Sequence, residues 1–285
     1  MVTTQQTDGE QHTLWNGTAG HAWVALQESL DRMFEPFRTL LVEAAVAGSA
    51  GSVLDVGCGT GDTTLALAQR LGASSTCIGI DISDPMIATA RDRAHRENSP
   101  AQFIVADAQS HAFDPASFDM IVSRFGVMFF DDPMLAFANL RHAARADAEL
   151  RFIAWRGAGE NPFMTTAERA AAPLLPNLPA RRPDAPGQFG FADERRVRRI
   201  LEDSGWRKID IQPIDVDCTL PEKELVPYLT RLGPVGSMLQ QMESPAREQV
   251  VATVRAAFDP YVRGAEVRFT AACWMVSARA PSAPA

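Results

Sequence analysis

The chain has 285 residues, 46% of them apolar and 22% charged, which fits one large α/β domain with insertions and excludes a mainly disordered protein. Its net charge of −8, from 27 basic and 35 acidic residues, disfavours long polyanions as partners, because phosphate neutralisation needs a basic face. No run reaches the roughly 18 to 20 consecutive apolar residues of a spanning helix, and Met1 to Glu10 is polar. No membrane span and no nucleic-acid partner are therefore expected, and the expected location is cytoplasmic. Cys58, Cys77, Cys218 and Cys273 lie far apart without a C-x-x-C pair, which argues against a disulfide framework or a zinc site.

Taken in chain order, His12 to Ala47 reads as one or two amphipathic helices that offer Trp15, Trp23, Leu26, Leu30, Phe34 and Phe37 for packing. From Ser52 onward, short apolar runs alternate with helical spacing, the mark of a parallel sheet with crossover helices. Strands are expected at Val53 to Val56, Thr76 to Ile80, Gln102 to Val105, Met120 to Val122 and Leu150 to Trp155. Helices are expected at Thr63 to Leu71, Asp84 to Glu97 and Pro133 to Ala144, with Asp84-Pro85 and Asp132-Pro133 each read as an N-cap before a proline at the first helical position. Gly157 to Gly190, interrupted by prolines at 162, 173, 176, 179, 183 and 186, reads as a connector or short-helix lid. A helix at Asp193 to Ser204 and a strand at Arg207 to Ile214 follow. Glu222 to Met242 and Pro245 to Tyr261 look helical, and a closing strand spans Glu266 to Ser277 before a frayed tail from Ala280 to Ala285. The cluster Arg195, Arg196, Arg198 and Arg199 is read as a solvated helix face rather than a phosphate-binding patch.

The central signal is Val53-Leu54-Asp55-Val56-Gly57-Cys58-Gly59-Thr60-Gly61-Asp62, a strand running into a G-x-G-x-G turn and then a helix. Glycines there let a ligand approach the backbone, and the helix start offers free N–H groups. A dinucleotide fingerprint would need its third glycine at position 62, which is Asp62. Asp55 and Asp62 would repel a pyrophosphate but can hold the ammonium or sulfonium of a cationic ligand such as S-adenosylmethionine. At the end of the next strand, Asp81 can accept from both hydroxyls of a ribose, and Asp107, at the end of the third, can accept from an exocyclic amine. Taken singly, each Asp could equally be a turn or N-cap residue; three at strand ends in step with the glycine turn point to a ligand.

These segments, with Gly79-Ile80-Asp81, Asp107-Ala108 and Phe118-Asp119-Met120-Ile121-Val122-Ser123-Arg124-Phe125-Gly126, resemble the successive motifs of class I S-adenosylmethionine-dependent methyltransferases. The resemblance covers roughly residues 50 to 156 and falls in the branch of quinone-biosynthesis and small-molecule enzymes. It implies a Rossmann-like, doubly wound and mostly parallel sheet with N-terminal helices and a C-terminal helical insertion. The implied division is an N-terminal helical lid at 1–47, a donor-binding core at 48–156, and the rest of the sheet with acceptor-cap insertions at 157–285. It also implies that Gly57, Gly59 and Gly61 approach the methionine part of S-adenosylmethionine, Asp81 the ribose, Asp107 and Ala108 the adenine, and Ser123, Arg124 and Phe125 the methyl side. Asp55, Cys58, Ile82 and Met86 belong to the same donor site, whose product form is S-adenosylhomocysteine. Where the family carries a Pro-Gly-Gly turn, this chain has Arg145-Ala146-Asp147-Ala148-Glu149.

Methyl transfer from a sulfonium is an in-line displacement that depends on close, aligned and dry reactants. A base is optional, and His21 or His111 is the candidate, with His21 preferred, against a surface or structural role for either. Trp15, Trp23, Phe125, Met128, Phe129, Trp155 and Phe163 are candidate linings for a small apolar or aromatic acceptor, against ordinary core packing. Arg124 needs a partner, either a local carboxylate or an anionic group of the acceptor. No metal is expected, since Asp132 reads as a helix cap. The rival readings are a donor-binding sensor without turnover, a nicotinamide-dependent oxidoreductase, and a nucleic-acid methylating enzyme. Oligomeric state and the choice among C-, N- and O-methylation stay open.

Overall fold

The structure is a computed structural model that describes residues 9–182 and 185–282. Pro183, the end of the tail at 283–285 and most of the polar start lie outside the described residues.

In place of the expected one or two N-terminal helices stand four short segments: α1 Glu10–Asn16, α2 Thr18–Ala25, α3 Gln27–Met33 and α4 Glu35–Ala47. Gly17 breaks the first junction, with φ −96° and ψ −142°. At the third, Pro36 lacks the N–H that a continuous helix would give to the Arg32 carbonyl, and the chain turns at Phe34. The core follows as β1 Ser52–Val56, α5 Asp62–Leu71, β2 Thr76–Asp81, α6 Asp84–Arg96, β3 Gln102–Val105, β4 Phe118–Arg124, α7 Pro133–Ala143 and β5 Ala144–Trp155. The cap of α7 is Asp132, which accepts from the Leu135 N–H at 3.0 Å. For α6 the cap is Ser83, not Asp84, because the Ser83 side chain accepts from the Met86 N–H and Asp84 already lies in the helix.

The remainder comprises α8 Pro162–Ala171, α9 Glu194–Asp203, β6 Arg207–Pro221, α10 Glu222–Arg231, α11 Gly233–Leu239, α12 Ala246–Ala257, β7 Val262–Arg263 and β8 Glu266–Arg279. On α9, Arg195 and Arg199 are exposed, as a solvated face requires. Strand β6 runs well past the expected end at Ile214, because an edge strand tolerates Pro213 where a central one would lose a ladder bond. Ala280 is not frayed: it is 3% exposed, and its N–H donates to the Ala148 carbonyl at 2.9 Å.

The sheet order is β3-β2-β1-β4-β5-β8-β6, with β7 paired to β8. Strands β1 to β5 are mutually parallel, while β8 is antiparallel to both β5 and β6. This is the Rossmann-like, mostly parallel arrangement, and chain order reverses at β1 between β2 and β4, where such sheets bind ligands. The segment that replaces the family's Pro-Gly-Gly turn is absorbed as an irregularity: Phe118 pairs with Ala144, Met120 already with Glu149, and Asp147 takes φ 59°.

Pairing of β5 with β8 ends at Trp155 and Cys273, yet β6 and β8 stay paired to Pro221 and Glu266. That ribbon stands past the carboxyl edge of the parallel strands by roughly 20 Å at about 3.4 Å per residue. Helix α10 packs with it, α12 packs with α10 and α8, α3 and α4 reach β6, and α11 touches α2. The N-terminal helices thus close over the same edge from the other side. Phe37 and Leu41 of α4 are fully buried, each contributing roughly 1.5–3 kcal/mol to that closure.

Candidate active site

Strand β1 delivers the chain to three glycines with positive φ, Gly57 at 65°, Gly59 at 56° and Gly61 at 86°. At Gly57 the need is spatial as well, since a Cβ there would stand 2.6 Å from the Gly126 Cα. The turn after β1 and the turn after β4 therefore touch backbone to backbone. Gly57 N–H and Cys58 N–H both donate to the Ile80 carbonyl, at 2.8 and 3.2 Å, which ties the turn to the end of β2.

Asp81 completes that tie. Its two carboxylate oxygens accept from Gly59 N–H at 2.8 Å and Ser83 N–H at 2.9 Å. A carboxylate has about four lone-pair sites, so these bonds do not fill it. Burial raises the Asp81 pKa above its ordinary value, and the N–H groups of Ser83, Gly59 and Ile82 pull it back. Beneath the turn, Asp55 accepts from the Thr64 hydroxyl at 2.7 Å, and burial lifts its pKa to about 6. Asp107 is half-buried, and one of its oxygens accepts from the Gln109 N–H at 2.8 Å. Ala108 is buried beside it, its carbonyl held by Asn139 at 3.0 Å.

Asp62 sits differently. It is 4% exposed and bonded to Arg38 at 2.8 Å and Arg124 at 2.7 Å, with Arg93 at 3.9 Å. Arg93 in turn pairs with Asp31 at 2.9 Å and donates to the Thr60 carbonyl at 2.9 Å. The charge of Asp62 is thus already answered from within the chain, and of the two partners open to Arg124 the structure supplies the local carboxylate. Ser123 has no exposed surface: it donates to the Val56 carbonyl at 2.7 Å and accepts from Gly126 N–H at 3.1 Å and Val127 N–H at 3.3 Å. It is a strut between the two turns.

A cavity with about 40 Å³ of free space lies where these parts meet, room for one or two waters. Its core side is Asp55, Gly57, Cys58, Gly59, Thr60, Thr63, Arg124 and Phe125, and its helical side is Trp23, Gln27, Leu30, Asp31 and Phe34. Phe125 holds φ 65° and stacks on Trp155 with centroids 4.7 Å apart, while Phe34 meets both rings edge-on. Burial and then the neighbouring Asp62 raise the Asp31 pKa, opposed by Arg93 and Arg124.

The other sequence candidates fall in distinct places. Trp15 meets Phe129 edge-on at 5.0 Å and Trp23 at 6.1 Å, and its carbonyl accepts from the Ser83 hydroxyl at 2.6 Å. Asn16 donates to the Ile82 carbonyl at 3.0 Å, so α1 is docked on the turn after β2. Met86 lies buried below Gly59, and Met128 is buried with its carbonyl accepting from the Gly187 N–H. Phe163 is away from the cavity, stacked on Phe269 at 3.8 Å among Phe258 and Tyr261. His21 is exposed, with Nδ1 2.9 Å from the Gly17 carbonyl, and His111 packs on Phe113 at 4.7 Å. Neither lines the cavity.

Gln27, Asp31, Thr60, Thr63 and Gly126 were not among the sequence candidates. For the first two a signal existed, because Gln27, Leu30, Asp31 and Phe34 fall at the i, i+3, i+4, i+7 spacing of one helical face. For Gly126 the reason is a contact with Gly57, distant in sequence.

Comparison with known proteins gives the family and the fold. A family model described as a methyltransferase domain matches residues 53–147. Nocamycin O-methyltransferase of Saccharothrix syringae is 30% identical over 142 residues, 50% of this chain and 49% of the relative. Aklanonic acid methyltransferase DauC of Streptomyces sp. (strain C5) is 31% identical over 185 residues, 62% of this chain and 84% of the relative. The chain thus spans about half of the first relative and most of the second. Among solved structures, one titled for conversion of a disulfide bond into a thioacetal group during echinomycin biosynthesis superposes with a TM-score of 0.57 at 21% identity. It covers 86% of this chain and 82% of its own, a likeness of fold.

Proposed function

The chain belongs to the class I S-adenosylmethionine-dependent methyltransferases, and from that premise we propose that it methylates a small apolar or aromatic acceptor held between its N-terminal helices and the carboxyl edge of its sheet. The donor, when bound, supplies a sulfonium methyl for in-line displacement. The Gly57–Gly61 backbone receives the methionine part, and Asp55 beneath it offers a negative charge to the ammonium. Asp81 accepts from the ribose hydroxyls through its unfilled lone pairs, and Asp107 and Ala108 border the adenine. The observation that carries the reading is Asp81, whose carboxylate is fixed by Gly59 and Ser83 and not consumed by them.

The helices before residue 48 serve as the lid, 48–156 as the donor core, and the later residues as the rest of the sheet with the acceptor cap. With only about 40 Å³ free between lid and turn, α2 and α3 must lift for a nucleoside to enter. The rings of Trp23, Phe34, Phe125 and Trp155 then close the space and keep water from the reacting atoms. This reading gives His21 no part in the chemistry. The names of the two relatives support a small-molecule acceptor.

The test is turnover: S-adenosylmethionine with a labelled methyl is incubated with phenols, enolic dicarbonyls and aromatic amines, and label in acceptor and S-adenosylhomocysteine are followed by mass spectrometry. The reading expects equal amounts of both products for at least one acceptor. Donor binding without turnover on the whole panel would favour the sensor reading.

A further inference from the structure

A second cleft lies in the cap, between α8 and the 3-10 turn Asp259–Tyr261 that follows α12. It has about 370 Å³ of free space and is lined by Thr166, Arg169, Ala170, Ala257, Pro260 and Tyr261. It shares no lining residue with the donor cavity, and its size falls within the range of small-molecule sites, roughly 300–1,000 Å³.

Its chemistry is set by Arg169. One guanidinium nitrogen donates to the Pro162 carbonyl at 3.1 Å and to the Thr166 hydroxyl at 3.0 Å. The Thr166 hydroxyl donates to the same carbonyl at 2.7 Å. These bonds pin the guanidinium on the first turn of α8 and leave its remaining N–H donors, on the other two nitrogens, unspent. Among the described residues Arg169 has no carboxylate partner, and the acids closest in sequence are committed elsewhere. Glu168 pairs with Arg181 at 2.5 Å, and Asp259 with Arg255 at 2.6 Å. Tyr261 adds a hydroxyl 3.4 Å from Thr166 Oγ1, a contact too long to hold its proton against a better acceptor. An exposed guanidinium pinned from one side, with no carboxylate partner among the described residues, and a phenolic O–H held only at 3.4 Å thus meet at one open cleft, beside the apolar surface of Ala170, Ala257 and Pro260, in a chain of net charge −8.

We propose that this cleft is a binding site for a small oxyanion, a carboxylate or phosphate head on a short apolar body, separate from the donor site. Arg169 supplies the charge and the N–H donors of its two free nitrogens, Tyr261 a further donor, and the apolar wall takes the body of the ligand.

The test is calorimetric titration of the full chain at low ionic strength with benzoate, phenyl phosphate and, as uncharged control, benzyl alcohol, each with and without saturating S-adenosylhomocysteine. Expected is one saturable site for at least one anion, no saturable binding of benzyl alcohol, and no competition from S-adenosylhomocysteine. The two anions tell the carboxylate from the phosphate source. Arg169→Gln should weaken the anion by at least about tenfold and Tyr261→Phe by about threefold, while S-adenosylhomocysteine affinity stays unchanged in both, which also reports an intact fold. If Arg169→Gln fails to fold, Arg169→Lys keeps the charge and loses the fixed, directed N–H donors, and should bind phenyl phosphate about threefold to tenfold less well. The proposal is overturned if neither anion saturates, if the Arg169 variants bind like the parent, if benzyl alcohol binds as well, or if S-adenosylhomocysteine competes.

Discussion

Ser123 spends one hydroxyl on three backbone groups, and those groups belong to the two turns that frame the donor cradle. Ser123→Ala leaves the Val56 carbonyl and the Gly126 and Val127 N–H groups short of a partner in a dry place, which costs roughly 1–3 kcal/mol; a lower urea midpoint at unchanged slope is the expected reading. Asp55 gives a second expectation at this scale. Burial lifts its pKa from 3.8 to about 6, so folding favours the protonated form. Its contribution to stability is full below the unfolded value and is lost as pH rises through about 6. Between those limits the parent should lose about 3 kcal/mol relative to Asp55→Asn, at 1.36 kcal/mol per unit. Affinity for the ammonium-bearing product runs the other way, strengthening as the carboxyl ionises near pH 6, and Asp55→Asn should flatten that rise in a pH series of titrations. The strut role of Ser123 was not legible in its motif, because its partner Val56 lies on another strand. The glycine turn and the placing of Asp55, Asp81 and Asp107 were legible as a pattern, because each falls in or just after its own apolar run.

Between elements, the binding of α3 and α4 to the core runs through charge as well as apolar area. Arg38 on α4 and Asp31 on α3 join Asp62, Arg93 and Arg124 from α5, α6 and β4 in one cluster. Breaking a buried pair from one side costs roughly 3–5 kcal/mol, and since Arg38 keeps 26% exposure the lower end applies to Asp62→Asn. The variant should show faster amide exchange in α3 and α4 than in β1 or β4, and exchange that rises equally everywhere would deny the cluster its local role. This cluster could not be read from sequence: five residues on five elements meet only when the chain folds, and Asp62 beside the glycines looked like a ligand contact. The core helices and strands were readable to within a few residues because their periodicity is local. The N-terminal breaks depend on Gly17 and Pro36 acting within a continuous apolar pattern, and the long β6 depends on its place at the sheet edge.

For the molecule as a whole, one edge of the sheet gathers every part of the proposed chemistry. The chain-order reversal at β1 opens the edge, the N-terminal helices cover one side, and the overhanging β6 and β8 ribbon carries α10, and α12 packed on it, on the other. Topology explains why the glycine turn and its carboxylates were readable and the walls of the cavity were not. The turn and the carboxylates lie in motifs close to single strands, whereas the cavity walls come from segments widely separated in sequence. No described helix is long and apolar enough to cross a membrane. The donor reading stands or falls on Asp81, and calorimetric titration with S-adenosylhomocysteine, with NAD in parallel and both repeated on Asp81→Ala, tests it most directly. Saturable binding of S-adenosylhomocysteine, weakened about a hundredfold by the substitution as two lost charge-assisted hydrogen bonds require, with no binding of NAD, is the expected result. Binding of NAD without S-adenosylhomocysteine, or an Asp81→Ala variant that binds the product as tightly as the parent, would contradict it.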